Sequence, residues 1–223
     1  MALWIVSIVS VIVIVLAVLI YLHDGTEFSQ LTGYSFFDIL TKEKANRLNK
    51  LMSRLKKVDG EHKLLVDLQV PIGNSTYSVD AVLIHESGIY VIDGVHINGW
   101  ISGRENDIEW VQALHNNKYE KFTNPIMVNK RIIAVLHELL PEVSKDVFTS
   151  VALFNDGCSF QKIEIESTNI EVMKMQELKK WTTEIGGEVL SKEEIENVHH
   201  ALEGNMSFKQ LPKAQPSNNT VTN

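Results

Sequence analysis

From Ala2 to Leu22 the chain runs 21 residues without a charge, and only Ser7 and Ser10 within that run are strongly polar. At the helical rise of about 1.5 Å per residue such a run extends roughly 30 Å, the thickness of a bilayer core. In hydrocarbon a single segment satisfies all of its backbone N–H and C=O groups only as a helix. A transmembrane helix is therefore expected over residues 1–22, with Trp4 and Tyr21 near its ends, where amphipathic rings favour the headgroup level. The segment has no basic leader and no Ala-x-Ala site after it, and its apolar run is too long for the core of a secretory signal. An anchor that stays attached is the expectation, and the rest of the chain must fold beside a membrane.

Charge sets the expected orientation and narrows the partners. The residues just after the helix, His23, Asp24 and Glu27, are neutral or acidic, but Lys42, Lys44, Arg47, Lys50, Arg54, Lys56 and Lys57 form a run interrupted by one acid, Glu43. That excess places the C-terminal domain on the cytoplasmic face. The formal charge of -7 and the pI near 5.6 exclude a general nucleic-acid binder, whose affinity rests on phosphate neutralisation by Lys and Arg. Contact with nucleic acid has to come from a local patch. Cys158 is the only cysteine, so no intrachain disulfide forms.

Residues 23–41 read as a juxtamembrane connector whose Phe28, Tyr34, Phe36 and Phe37 pack on the domain or lie at the lipid interface, with packing the expectation. Leu48, Leu51, Met52 and Leu55 recur at spacings of three and four, which predicts an amphipathic helix over 43–58. Its outer face, Lys42 to Lys57, is basic and reads as a solvated surface or as a contact with anionic lipid. Leu64 to Val70, Tyr77 to Ile84 and Gly88 to Asp93 are β-rich runs separated by turn residues, predicting an antiparallel meander. Ile108 to Gln112 is a short fourth strand. Asn124-Pro125 then opens a helix over 126–140, and Val147 to Phe154 is a buried strand. Ile163 to Ile165 and Ile170 to Met173 are edge-strand candidates, and Glu177 to Trp181 is a small helix. Ser191 and Glu194 form a capping box that starts a helix running to about Leu202. The Pro-, Gln- and Asn-rich segment 206–223 reads as a disordered tail.

With these elements in order, the chain resembles the NERD (nuclease-related) domain, a member of the PD-(D/E)XK restriction-endonuclease-like superfamily. The resemblance rests on Asp80 before an apolar strand, Gly88-Ile-Tyr-Val-Ile-Asp93, Gly99-Trp-Ile-Ser-Gly103, Trp110, and Phe122-Thr-Asn-Pro125 leading into a helix. It is strongest over 42–140 and implies a domain over 42–205 with an α/β core: a central mixed β-sheet flanked by helices. It also implies a metal site made of Glu43, Asp80 and Asp93, which hold Mg²⁺ or Mn²⁺ in the family's chemistry, with a lysine two residues after the strand acid. Carboxylates at adjacent strand ends can hold a hard cation that polarises a phosphodiester.

The chemistry-bearing positions depart from that pattern. Val95 stands at the lysine position. Val128 and Ile132 stand where the family carries a glutamine and a histidine one turn apart, Lys42 replaces a glycine, and Asp93 is one methylene shorter than the usual glutamate. Losing one preorganised charge-stabilising group typically costs a factor of about 10² to 10³ in rate. Val95, Val128 and Ile132 are expected to plug the former pocket. His96 falls on the opposite face of the strand from Val95 and does not replace the lysine. His85 and Glu86 read as a solvated pair in a turn, and Trp100 and Trp110 as packing anchors. His199 and His200 read as surface histidines with no acid at ligand spacing, and Cys158 as incidental.

The favoured reading is a membrane-anchored, catalytically degenerate nuclease-related domain that acts as a binding or scaffold module for a nucleic-acid or protein partner. The alternatives are an active metal-dependent nuclease using Glu43, Asp80 and Asp93, and a membrane-surface module docked through the basic helix with no nucleic-acid role.

Overall fold

The computed structural model describes residues 2–24, 26–115 and 118–205. The tail expected to be disordered, 206–223, lies outside the described residues. The first element, α1 (Ala2–Asp24), is a 23-residue helix. Taken over the described residues, no helix is long and apolar enough to cross a membrane. From Ser7 to Leu22 the described side chains of α1 are almost all apolar. Those apolar side chains are exposed along the helix, from Ile8 at 59% to Leu22 at 63%.

The connector is not irregular chain. It folds as two short helices, α2 (Glu27–Thr32) and α3 (Phe36–Thr41), each started by a hydroxyl cap. Ser35 and Asp38 form a reciprocal box at the start of α3. Phe28 is buried in the core, Tyr34 stacks beside it, and Phe37 points outward, 51% exposed. The expected packing therefore holds for Phe28 and Tyr34 and not for Phe37.

The domain proper is two mixed sheets rather than the single one expected. In the first, β1 (His62–Ile72), β2 (Ser75–His85) and β3 (Gly88–Val95) form the predicted antiparallel meander; β7 (Phe148–Phe154) and β9 (Ile170–Lys174) extend it in parallel, in the order β1-β2-β3-β7-β9. Helix α4 (Glu43–Leu55) covers one face. Its Leu48, Leu51, Met52 and Leu55 pack with Val66, Leu83, Ile92 and Leu153. Helices α5 (Pro125–Leu139) and α7 (Lys192–Asn205) cover the other, where Ile132, Ile133 and Leu136 meet Leu65, Val82 and Val91, joined by Val198 and Leu202. Each such aliphatic side chain contributes about 1.5–3 kcal/mol when fully buried, so the two faces are the main source of stability. The small helix α6 (Leu178–Glu184) closes the α4 face with Trp181, which stands edge-on to Tyr90.

The second sheet has the order β6-β5-β4-β8 and consists of β4 (Gly99–Arg104), β5 (Glu109–Leu114), β6 (Lys118–Thr123) and β8 (Cys158–Glu164). Only β5 and the end of β8 were legible as strands. The motif residues of the family explain how this sheet is built. Trp110 is fully buried and lies so close over Gly103 that a Cβ there would meet its ring at 2.2 Å. Asn124, also fully buried, caps α5 by accepting from the Ile126 N–H at 2.9 Å. Its amide donates to the carbonyls of Glu105 (2.9 Å) and Asp107 (2.7 Å), tying the β4–β5 turn to the helix. The buried Glu105 carboxylate holds the β8–β9 loop through the Glu166 and Ser167 N–H groups and pairs with Lys130 at 3.0 Å.

Candidate functional site

The site lies beneath α4, where the β2–β3 pairing stops past Ala81 and Ile92. The β1–β2 ladder pairs Val66 with Ala81 and then Leu68 with Val79, leaving Asp67 opposite Asp80 unregistered. Asp67 adopts a left-handed backbone, φ 56°, which Asp tolerates better than most residues. The consequence is a reversal of faces: Ala81 packs on the α4 side, whereas Val79 and Tyr77 pack on the α5 side. Buried Asp67 is satisfied by Lys44 Nζ at 2.6 Å and Ser78 Oγ at 2.6 Å, so Lys44 turns inward rather than to solvent.

Asp80 consequently opens on the α4 side. Its Oδ2 lies 3.8 Å from Nε2 of His96, and the two meet over Gly94, where a Cβ would lie 2.5 Å from that oxygen. A side chain at Gly94 would press on both groups and push them aside. Burial pushes the Asp80 carboxyl up, an effect that nearby His96, Lys44 and Arg47 reduce. Burial, followed by the Arg47 charge, pushes His96 down. A neutral imidazole therefore faces Asp80 at neutral pH, and the contact is not a salt bridge.

Asp93 lies on the other side. It is 7% exposed, accepts from the Tyr77 hydroxyl at 2.8 Å, and is pushed up to about 7, first by burial and then by the charge of Asp80. Burial and the Asp93 charge together raise the Tyr77 phenol. Val95, on the same face of β3, packs against the core of the second sheet with Ile126 and Phe154. Val128 is half-buried against the α5-side core, and Ile132 is fully buried within it. Between them in sequence, Asn129 donates to the Val91 and Val151 carbonyls at 3.3 and 3.2 Å, fastening α5 across β3 and β7.

The metal donors implied by the resemblance do not converge. Glu43 is exposed, with 86% of its side chain accessible, and pairs with Arg47 at 2.9 Å. Asp80 and Asp93 serve opposite faces. Among the described residues these three do not form a group with donor atoms all within 4.8 Å of one another, a condition that His199, His200 and Glu203 do meet.

What the α4 side does form is a cleft of about 300 Å³. Arg47, Lys50 and Arg54 line it from α4, Asp80 and His96 from the sheet, and Asn155 and Asp156 from the end of β7. The Arg47 Nε and the Asn155 Oδ1 are buried without a hydrogen-bond partner. Arg54 donates to the Met175 carbonyl. The basic run is otherwise largely consumed within the chain: Lys42 pairs with Asp38 and Lys56 with Glu27, each at 2.6 Å. Among the described residues Lys50 and Lys57 have no ion-pair partner, which leaves little of the helix as a free basic face.

Three other expectations change. His85 is not solvated; it is 1% exposed and bonded to Ser87 Oγ (2.6 Å) and the Asp59 carbonyl (2.8 Å). Trp100 is partly exposed against His115, unlike the anchored Trp110. His199 is mostly buried, and Glu203 supplies the acid that was not recognised beside it. Cys158 is buried in the second sheet's core, which raises its thiol and leaves it a packing residue.

A mixed sheet sandwiched between helices, with an acid on each of the neighbouring strands β2 and β3, is the frame of a restriction-endonuclease-like domain. The nuclease-related domain (NERD) family profile matches residues 42–155, and the chain belongs to that family. An uncharacterized protein of Bacillus anthracis is 26% identical over 139 residues, 62% of this chain and 64% of the relative. The chain thus spans less than two thirds of that protein's length. No solved structure gives a significant match.

Proposed function

We propose that this chain is a membrane-anchored nuclease-related domain that has lost catalytic competence and works as a binding or scaffold module at the cytoplasmic membrane face. It takes an anionic segment of its partner, a nucleic-acid strand being the first to test, in the cleft between α4 and the β2–β3 ends. The observation that carries this reading is the division of the motif acids. Asp93 is tied to Tyr77 with aliphatic Val95 beside it, while Asp80 faces a cleft whose α4 wall bears Arg47, Lys50 and Arg54. A catalytic cage needs the acids together; an anion site needs the cations together, and the second is what the side chains favour. The 23-residue apolar helix α1, with its exposed aliphatic surface, supports the anchor.

The test is binding of single- and double-stranded DNA and RNA by the full chain in detergent micelles across a salt series. Affinity should fall steeply with salt and drop about tenfold or more in Arg47→Ala/Lys50→Ala. Salt-independent binding, or none, removes nucleic acid as the partner; preference for anionic vesicles with no nucleic-acid binding would favour a membrane-surface module instead.

A further inference from the structure

Outside the cleft, one cluster has the composition of a metal centre. On α7, Glu203 stands four residues after His199 and three after His200, the two spacings at which side chains on a helix meet. Nδ1 of His199 lies 3.8 Å, and Nδ1 of His200 3.9 Å, from Oε2 of Glu203. One donor atom from each of the three lies within 4.8 Å of the other two. The His199 Nδ1 is buried with no hydrogen-bond partner, although 16% of the side chain reaches solvent. Val198 and Leu202, in the α5-side core, fix the rotation of the helix that presents the trio.

We propose that His199, His200 and Glu203 bind a divalent transition-metal ion of the zinc class, with a fourth position open to water. Two imidazoles and one carboxylate suit Zn²⁺, whereas Mg²⁺ and Ca²⁺ take oxygen donors almost throughout. Tetrahedral bonds of about 2.0–2.2 Å place ligand atoms roughly 3.3–3.5 Å apart, so each histidine-to-glutamate gap closes by about half an ångström, and the two imidazole donors, within 4.8 Å of each other, draw together as well. His200 and Glu203, both exposed, have the freedom to make that adjustment. An ion held this way ties together the last turns of α7 and stabilises the folded state by mass action.

The experiment uses the full chain in detergent micelles, stripped of metal with a chelator, and titrates Zn²⁺ and Mg²⁺ by calorimetry at neutral pH, with Co²⁺ absorption as the spectroscopic readout. One Zn²⁺ per chain, no Mg²⁺ at this site, and a loss of affinity of about tenfold or more in both His200→Gln and Glu203→Gln are expected. Both substitutions fall at exposed positions, so the fold survives them. Absence of Zn²⁺ binding, or binding undiminished in both variants, overturns the proposal. Neither result bears on the cleft, whose residues lie on other elements.

Discussion

Asp93, the strand acid of the motif, is buried and bonded to Tyr77. A carboxyl raised from its ordinary value to about 7 is uncharged, or nearly so, over much of the acidic range, and its bond from Tyr77 competes with any other partner. The raised value has a consequence for stability. Its contribution is fully present below about pH 4, where the group is protonated in both states, and is lost as pH rises through about 7, because the folded state must then carry a buried charge. Asp93→Asn should keep the Tyr77 contact and stabilise the protein by roughly 1–3 kcal/mol above neutrality, with little gain near pH 4. Melting temperatures of both proteins between pH 4 and 8 check this; an equal shift at every pH would show that burial of charge is not the cause.

At the scale of elements, the residues that carry the family pattern are mostly braces. Asn124 satisfies three carbonyls and one N–H between α5 and the β4–β5 turn, and Gly103 leaves room for the Trp110 ring. Asn124→Ala removes a cap and strands buried carbonyls, a loss of about 2–4 kcal/mol. Gly103→Ala should cost a similar amount by displacing Trp110. Denaturant unfolding measures both, and a change below about 0.5 kcal/mol in either would remove that brace. The meander β1–β3 was legible because alternation and turn residues agree, and α5 because Asn124-Pro125 announces its start. Strands β4 and β6 were missed: each is six residues long, one glycine-rich and the other mostly charged, and their pairing with β5 is a tertiary fact. The face reversal at Asp67 and Asp80 was equally hidden, since the family resemblance joins the motif acids and nothing in the strand's residue pattern marks the break in alternation. Glu203 went unrecognised beside His199 because burial, not spacing alone, distinguishes that trio from ordinary surface residues.

At the scale of the whole molecule, an apolar N-terminal helix precedes a nuclease-related domain in which Val95 packs into the second sheet's core and Arg47, Lys50 and Arg54 line a cleft on the α4 side. The anchor predicts that the full chain sediments with membranes and resists both high salt and alkaline carbonate, and that removing residues 2–22 frees it. A reporter placed after Asn223 should be active only in the form that reads cytoplasmic location. The most direct test of the central claim is a cleavage assay on the full chain in micelles with Mg²⁺ and Mn²⁺, using single- and double-stranded DNA and RNA, with Asp80→Ala as control. The account predicts no metal-dependent cleavage above that control. Cleavage that the unmodified chain performs and Asp80→Ala abolishes would contradict it and make Glu43, Asp80 and Asp93 a working site.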